Sequence, residues 1–247
     1  VTPEIGLIVF MAAAGAFVHS AAGFGFAMLF MPVAGYLLGI HQAAPLMALL
    51  STMLTAYVGY THRASVDWPE ARRLIFSALP GLAVGLTVLQ FSDPAVLKRL
   101  LGASLAAYGV YALFIEPRFR PADAPALPFQ RSWMGIAAGF LAGFFGGACA
   151  VDGPPLIVYS AIRRWPRERF KGVLQAFFLA NNAMLFSGHA IIGNVTLPVL
   201  GLGAACIPAL AAGIYLGHHT SSRLSPEAFR RGVLVLITAL GCMLLRG

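Results

Sequence analysis

Ten apolar runs joined by short polar breaks take up almost the whole of this chain. They lie at about 5–22, 24–39, 43–61, 71–90 and 95–115, then at about 132–147, 153–163, 170–192, 198–217 and 227–245. A helix needs about 20 mostly apolar residues to cross a bilayer, so ten would use roughly 200 positions. The chain has 247, which leaves no room for a folded extramembrane domain. The runs do not alternate with period two, as the strands of a membrane barrel would. The expected fold class is an all-α polytopic membrane protein. Composition agrees: 59% of the residues are apolar and only 11% are charged, against about 25% charged in a soluble domain. With a mean hydropathy of +0.79, the chain cannot build the surface of a soluble enzyme.

Other classes fall in turn. Cys149, Cys206 and Cys242 make an odd count inside apolar runs, which excludes a disulfide framework. The net charge of +8 reads as basic cytoplasmic loops, not as a nucleic-acid surface. No GxxxxGK[ST] loop occurs, so uphill transport would need an ion gradient or another chain. Val1-Thr2-Pro3-Glu4 has no basic n-region, so the first run is expected to be retained rather than cleaved. A membrane enzyme would want clustered acids or histidines, and the sequence offers none. His218 and His219 are adjacent and project differently from a helix, so they are not read as a metal pair.

Basic residues set the orientation. Arg63, Arg72 and Arg73 follow the third run, and Arg118, Arg120 and Arg131 lie in a Pro-rich stretch at 116–131. Arg163, Arg164, Arg167, Arg169 and Lys171 follow the seventh, and Arg223, Arg230 and Arg231 flank the start of the tenth. With alternating spans and the N-terminus outside, all four clusters are cytoplasmic. Gly39–Gln42 and Gly193–Thr196 then lie outside and carry no Lys or Arg. Lys98, Arg99 and Arg246 run against the pattern. Trp68, Trp133 and Trp165 sit at run ends, as interfacial aromatics do.

The chain also reads as a duplication. Val66-Asp67-Trp68-Pro69 corresponds to Val195-Thr196-Leu197-Pro198, and Leu79-Pro80-Gly81 to Ile207-Pro208-Ala209. Asp93-Pro94 ahead of Lys98-Arg99 corresponds to Ser225-Pro226 ahead of Arg230-Arg231. The expected organisation is a first repeat at 1–115, a cytoplasmic linker at 116–131 and a second repeat at 132–247. Five spans per repeat is odd, so the second repeat is inverted, as in many secondary transporters.

Each repeat opens with a broken run. Ala16 to Phe26, with Gly23-Phe24-Gly25 in it, interrupts the first, and Gly139 to Pro155 interrupts the second. The flanking runs of the second are short, which suits a re-entrant hairpin. Gly153-Pro154-Pro155 reads as a helix start. A helix start inside a membrane presents free N–H groups and the positive end of the dipole, a site for an anion without a buried Lys or Arg. The alternative for any one glycine is close helix packing.

At these breaks the sequence resembles the TauE/SafE family, the sulfite-exporter and 4-toluene-sulfonate-uptake permeases. The resemblance is carried by Gly139-Phe140-Leu141-Ala142-Gly143-Phe144-Phe145-Gly146-Gly147-Ala148-Cys149-Ala150-Val151-Asp152-Gly153-Pro154-Pro155 and by Gly23-Phe24-Gly25. The basic loop Arg163–Phe170 and Gln175-Ala176-Phe177-Phe178 fit it as well. It implies a secondary transporter in the cytoplasmic membrane that exports sulfite or an organosulfonate such as sulfoacetate. Uptake and a passive anion channel are the alternatives. The expected partners are a small sulfur-containing anion, the lipid bilayer and a proton or sodium ion for coupling, with a homodimer allowed. No cofactor, metal or nucleic acid is expected.

The expected substrate-binding residues are His19, Ser20, Gly23, Phe24, Gly25, Gly146, Gly147, Gly153, Gln175 and Asn182. His19 and Ser20 precede the first break and could donate to a sulfonate; a packed, satisfied histidine is the alternative. Gln175 and Asn182 are two helical turns apart and share a face, as oxyanion donors or as interhelix glue. Asp152 stands alone among the acids in an apolar region and is the coupling candidate, with an N-cap role as the alternative. Ser51, Thr52 and Thr55 are read as bonded to their own helix, and His189 as interfacial.

The orientation is checked by single-cysteine labelling in a Cys-free background. Positions in Gly39–Gln42 and Gly193–Asn194 are expected to label from outside, and Arg164–Arg169 from inside. Labelling of Gly39–Gln42 and the Arg164 loop from one side would overturn the two-repeat topology.

Overall fold

Every run expected from hydropathy is a helix in the computed structural model, which describes residues 3–115, 132–220 and 226–246. In order these are α1 (Pro3–Ala22), α2 (Phe26–Leu38), α3 (Ile40–Thr61), α4 (Trp68–Phe91) and α5 (Pro94–Val110), then α6 (Ser132–Cys149), α7 (Gly153–Ile162), α8 (Arg167–Ile191), α9 (Leu197–Thr220) and α10 (Pro226–Arg246). A wider π turn, Tyr111–Ile115, extends α5. No strand occurs among the described residues. The expected linker at 116–131 and the loop carrying Arg223 lie outside them.

Local chemistry sets the helix starts. Asp67 caps α4, its Oδ1 accepting from Glu70 N at 3.3 Å, and Pro69 follows. Asp93 caps α5 by accepting from Ala95 N at 2.7 Å, with Pro94 as the first helical residue. Proline at these positions loses no helical hydrogen bond and is already bent for the helix. Among the described residues six helices are long and apolar enough to cross a membrane: α1, α3, α4, α5, α9 and α10. α8 has the length, about 37 Å at 1.5 Å per residue, but its polar residues lower its hydropathy.

The short helices are the interior ones. Phe26, Leu29, Phe30 and Met31 of α2 are buried, and so are Leu156 and Tyr159 of α7. A helix apolar on all sides belongs inside a protein or a membrane. Outward faces are apolar too: Phe91 is 84% exposed, Ile191 85% and Leu197 84%. Such faces suit lipid.

The packing repeats with a swap of halves. α4 packs on α6, and α9 packs on α1; α4 touches α8, and α9 touches α3; α3 packs on α8, and α5 on α10. The closest of these contacts run through glycine. Gly81 and Gly85 of α4 face the carbonyls of Phe140 and Phe144, and Gly213 and Gly217 of α9 face those of Ala13 and Phe17. In return Gly139, Gly143 and Gly147 of α6 face the carbonyls of Leu74, Ala78 and Leu82. Without side chains the two backbones approach closely, which is how helices adhere where lipid offers no hydrophobic drive.

Substituting Gly85 by leucine is therefore expected to destabilise the fold by about 1–3 kcal/mol, the usual cost of overpacking. Gly201 has open space around it, so Gly201→Ala is expected to be neutral or stabilising by up to about 1 kcal/mol, from helix propensity. Unfolding midpoints in detergent check the contrast.

Candidate functional site

Both broken runs close in the same way. Gly23 and Ala150 take the left-handed conformation, with φ of +88° and +55°. Each closes a last turn, Gly23 N donating to His19 O at 2.7 Å and Ala150 N to Gly146 O at 2.8 Å. Two residues on, Gly25 and Asp152 stand at the caps of α2 and α7. Glycine suits the first break, where Gly25 also has a φ of +109°. Alanine at the second is held in a shape that L-residues resist.

α8 is the helix on which both breaks rest. Gln175 reaches the first: its Nε2 donates to Gly23 O at 2.8 Å, and its Oε1 lies 3.1 Å from His19 Nε2. Asn181 reaches the second, its Nδ2 donating to Asp152 Oδ2 at 2.8 Å. Six residues separate the two amides, so they stand about 9 Å apart along the axis and about 120° apart around it. All four side chains are buried. The starts of α2 and α7 meet between these points. A Cβ on Gly153 would lie 2.6 Å from Met28 Cε and 3.9 Å from Phe178 Cζ, and the His19 ring lies 5.9 Å from that of Phe178.

The two helix starts differ in chemistry. No side chain caps α2, so the N–H groups of Phe26, Ala27 and Met28 are the free donors of a helix start. In α7 the second and third residues are Pro154 and Pro155, which have no N–H. The Asp152 carboxylate makes no cap hydrogen bond there. It pairs with Asn181 instead.

The expected residues therefore divide. His19, Gly23, Phe24, Gly25 and Gln175 gather at the first break, where the Phe24 ring packs edge-on at 6.1 Å from that of Phe170. Gly146, Asp152 and Gly153 gather at the second. Ser20 turns away, its Oγ donating to Ile214 O at 3.1 Å on α9. Gly147 faces α4. Asn182 bonds its own helix through Phe178 O at 2.8 Å.

Four participants escape a linear reading. Asn181, beside Asn182, is the amide that meets Asp152, because the second break lies on a different side of α8 from the first. Lys171 lies in the second turn of α8, its stem against Gly23: a Cβ there would lie 3.1 Å from Lys171 Cγ. His62, just beyond α3, is held below the ordinary imidazole range by burial and then by the Lys171 charge. Glu70 is buried at the start of α4, where Tyr159 Oη donates to Oε1 at 2.7 Å and Arg73 pairs with Oε2 at 3.2 Å. Beside it Arg169 and Asp67 form an ion pair at 2.6 Å. These contacts fasten the start of α4 to α7 and α8, at the end where the basic loops lie. The signal for Glu70 was its distance from the Arg73 charge, one helical turn away.

A family model described as "Sulfite exporter TauE/SafE" matches residues 7–244. The comparisons with curated proteins and with solved structures returned no match.

Gln175→Leu is expected to cost about 1–3 kcal/mol, since it strands the buried His19 and the Gly23 carbonyl. Asn182→Leu removes a bond to its own helix only and is expected to cost about 1 kcal/mol or less. Unfolding midpoints of the two variants in one detergent test the difference.

Proposed function

Since the chain belongs to the sulfite exporter TauE/SafE family, we propose that it is a secondary transporter in the cytoplasmic membrane. Its cargo is a small sulfur-containing anion, sulfite or an organosulfonate such as sulfoacetate, moved outward. The observation that carries this reading is the meeting of two helix starts, one from each half, against the amides of α8. Helix starts aimed at a midplane site are how secondary transporters hold anionic groups without a fixed cation.

In this reading 1–115 and 132–247 are inverted repeats with the N-terminus outside. The swapped packing of α4 on α6 and α9 on α1 supports it. So does α7, whose ten residues rise only about 15 Å, half of a hydrocarbon core; α6 and α7 then form a re-entrant hairpin. Anion oxygens accept from the free N–H groups of Phe26, Ala27 and Met28, with His19 and Gln175 beside them. Gly23 and Gly25 let the substrate approach the backbone. Gly146 and Gly153 keep the facing break open, and Lys171 raises the local concentration of anions on the basic side. Asp152 is the candidate for the coupling ion, and rocking of one repeat against the other would expose the site alternately to each side.

The test is flux of labelled sulfite, sulfoacetate and sulfate in proteoliposomes, with and without a pH gradient. Saturable counterflow of a sulfur anion is expected. Non-saturable flux indifferent to any gradient would make the protein a channel, and no flux would overturn the reading. Gly25→Leu, a bulky residue at a left-handed position, is expected to lower transport at least about tenfold, or 1.4 kcal/mol, with surface expression retained.

A further inference from the structure

Asp152 and Asn181 carry a feature that anion binding leaves unused. Both are buried, at 4% and 0% exposure. Asn181 gives one amide N–H to Asp152 Oδ2, while its Oδ1 has no hydrogen-bond partner. A buried amide oxygen without a partner is costly and wants an explanation. No Lys, Arg or His among the described residues pairs with Asp152. Three residues before it, the buried Cys149 thiol is turned away toward Leu97 O of α5 at 3.9 Å. From α2, Met28 reaches the adjacent Gly153. A carboxylate without a counter-charge in hydrocarbon must take up a cation at some stage of the cycle.

We propose that Asp152 and Asn181 form the proton site of the transporter, separate from the anion site at the first break, and that the Asn181 amide serves both protonation states by turning over. This rests on the transport reading above. With Asp152 ionised, the amide donates through Nδ2, as in the structure. With Asp152 protonated, a half-turn of the amide brings Oδ1 to accept from the carboxyl O–H. A side-chain amide has both a donor and an acceptor edge, so one residue satisfies both states. The proton comes from the aqueous phase on one side and leaves to the other, and no bond other than O–H is made or broken. Gly146 leaves the space for the turn: a Cβ there would lie 2.9 Å from Asn181 Nδ2 and 3.3 Å from Asp152 Cβ.

A proton fits better than a metal ion. A hard cation is held by about six oxygens. The side chains at this break supply the two of Asp152 and the one of Asn181. Ser160 bonds Ile157 O, and the Asn182 amide N–H bonds Phe178 O. The anion belongs at the other break for the converse reason, because Pro154 and Pro155 strip α7 of the donors that α2 keeps.

Two measurements test the assignment. In proteoliposomes with labelled sulfite or sulfoacetate, the wild type is expected to accumulate anion in response to a pH gradient and not to a sodium gradient. Asp152→Asn is expected to lose that accumulation at least tenfold while counterflow exchange persists. Unchanged pH-driven accumulation in Asp152→Asn, or sodium-driven accumulation in the wild type, overturns the proton site; absent exchange in the wild type overturns the transport reading instead. The second measurement needs no transport. Infrared difference spectra of the purified protein across a pH step are expected to show a protonated-carboxyl band that Asp152→Asn abolishes, Asn181→Leu shifts and Gly146→Ala shifts. A wild type without the band, or a band that ignores Asn181, overturns the pairing.

Discussion

A broken helix in hydrocarbon leaves backbone groups that lipid cannot satisfy, and each needs a partner from the protein, from water or from a ligand. That requirement organises this molecule. The Gly23 carbonyl, freed where α1 ends, is taken by Gln175 of α8. At the break between α6 and α7, Asn181 of the same helix donates to the Asp152 carboxylate. α8 must therefore carry amides where a spanning helix would ordinarily be apolar. It is enclosed in return, with Gln175, Asn181 and Asn182 buried. The polar helix and the interrupted helices are two halves of one solution.

Enclosing α8 and the short helices needs the outer helices to close tightly. Gly81 and Gly85 against α6, and Gly213 and Gly217 against α1, provide that contact in each half. A carbonyl facing a glycine Cα sits closer than any side chain would allow. Along α6 glycine serves two purposes. Gly139, Gly143 and Gly147 face α4, and Gly146, one residue before the last of these, faces Asn181 and Asp152. One helix thus has a packing edge and a site edge, set by neighbouring residues.

The helices were legible because a span of hydrocarbon imposes a length, and the breaks because Gly23-Phe24-Gly25 and Gly153-Pro154-Pro155 carry backbone chemistry of their own. What the linear reading lacked was rotation. Gln175 and Asn182 share a face by spacing, yet Asn181 is the partner of Asp152, because two breaks approach α8 from different sides. Gly147 reads like Gly146 in sequence and does opposite work. Lys171 belongs by charge to a basic loop, while its stem lies on Gly23. Glu70, one turn from Arg73, is buried under Tyr159. Each of these depends on which neighbour a face meets, and hydropathy holds no information about that.

One backbone frame, used twice, holds two chemistries. The two breaks share their backbone: a left-handed residue at Gly23 or Ala150, closing on His19 or Gly146. The side chains around that shared frame diverge. His19 occupies in the first break the place of Gly146 in the second, and Gly25 the place of Asp152. The first break therefore gathers donors: free N–H groups, an imidazole, an amide and a nearby ammonium. The second gathers acceptors: a carboxylate and an unpaired amide oxygen, above prolines that donate nothing. In the reading proposed above, the first break keeps its helix start for an anion and the second fills it with an acid, which would bring opposite charges to neighbouring points on α8. On that proposal, occupancy of either break would change the electrostatic free energy of the other, and such coupling is reciprocal by thermodynamic necessity.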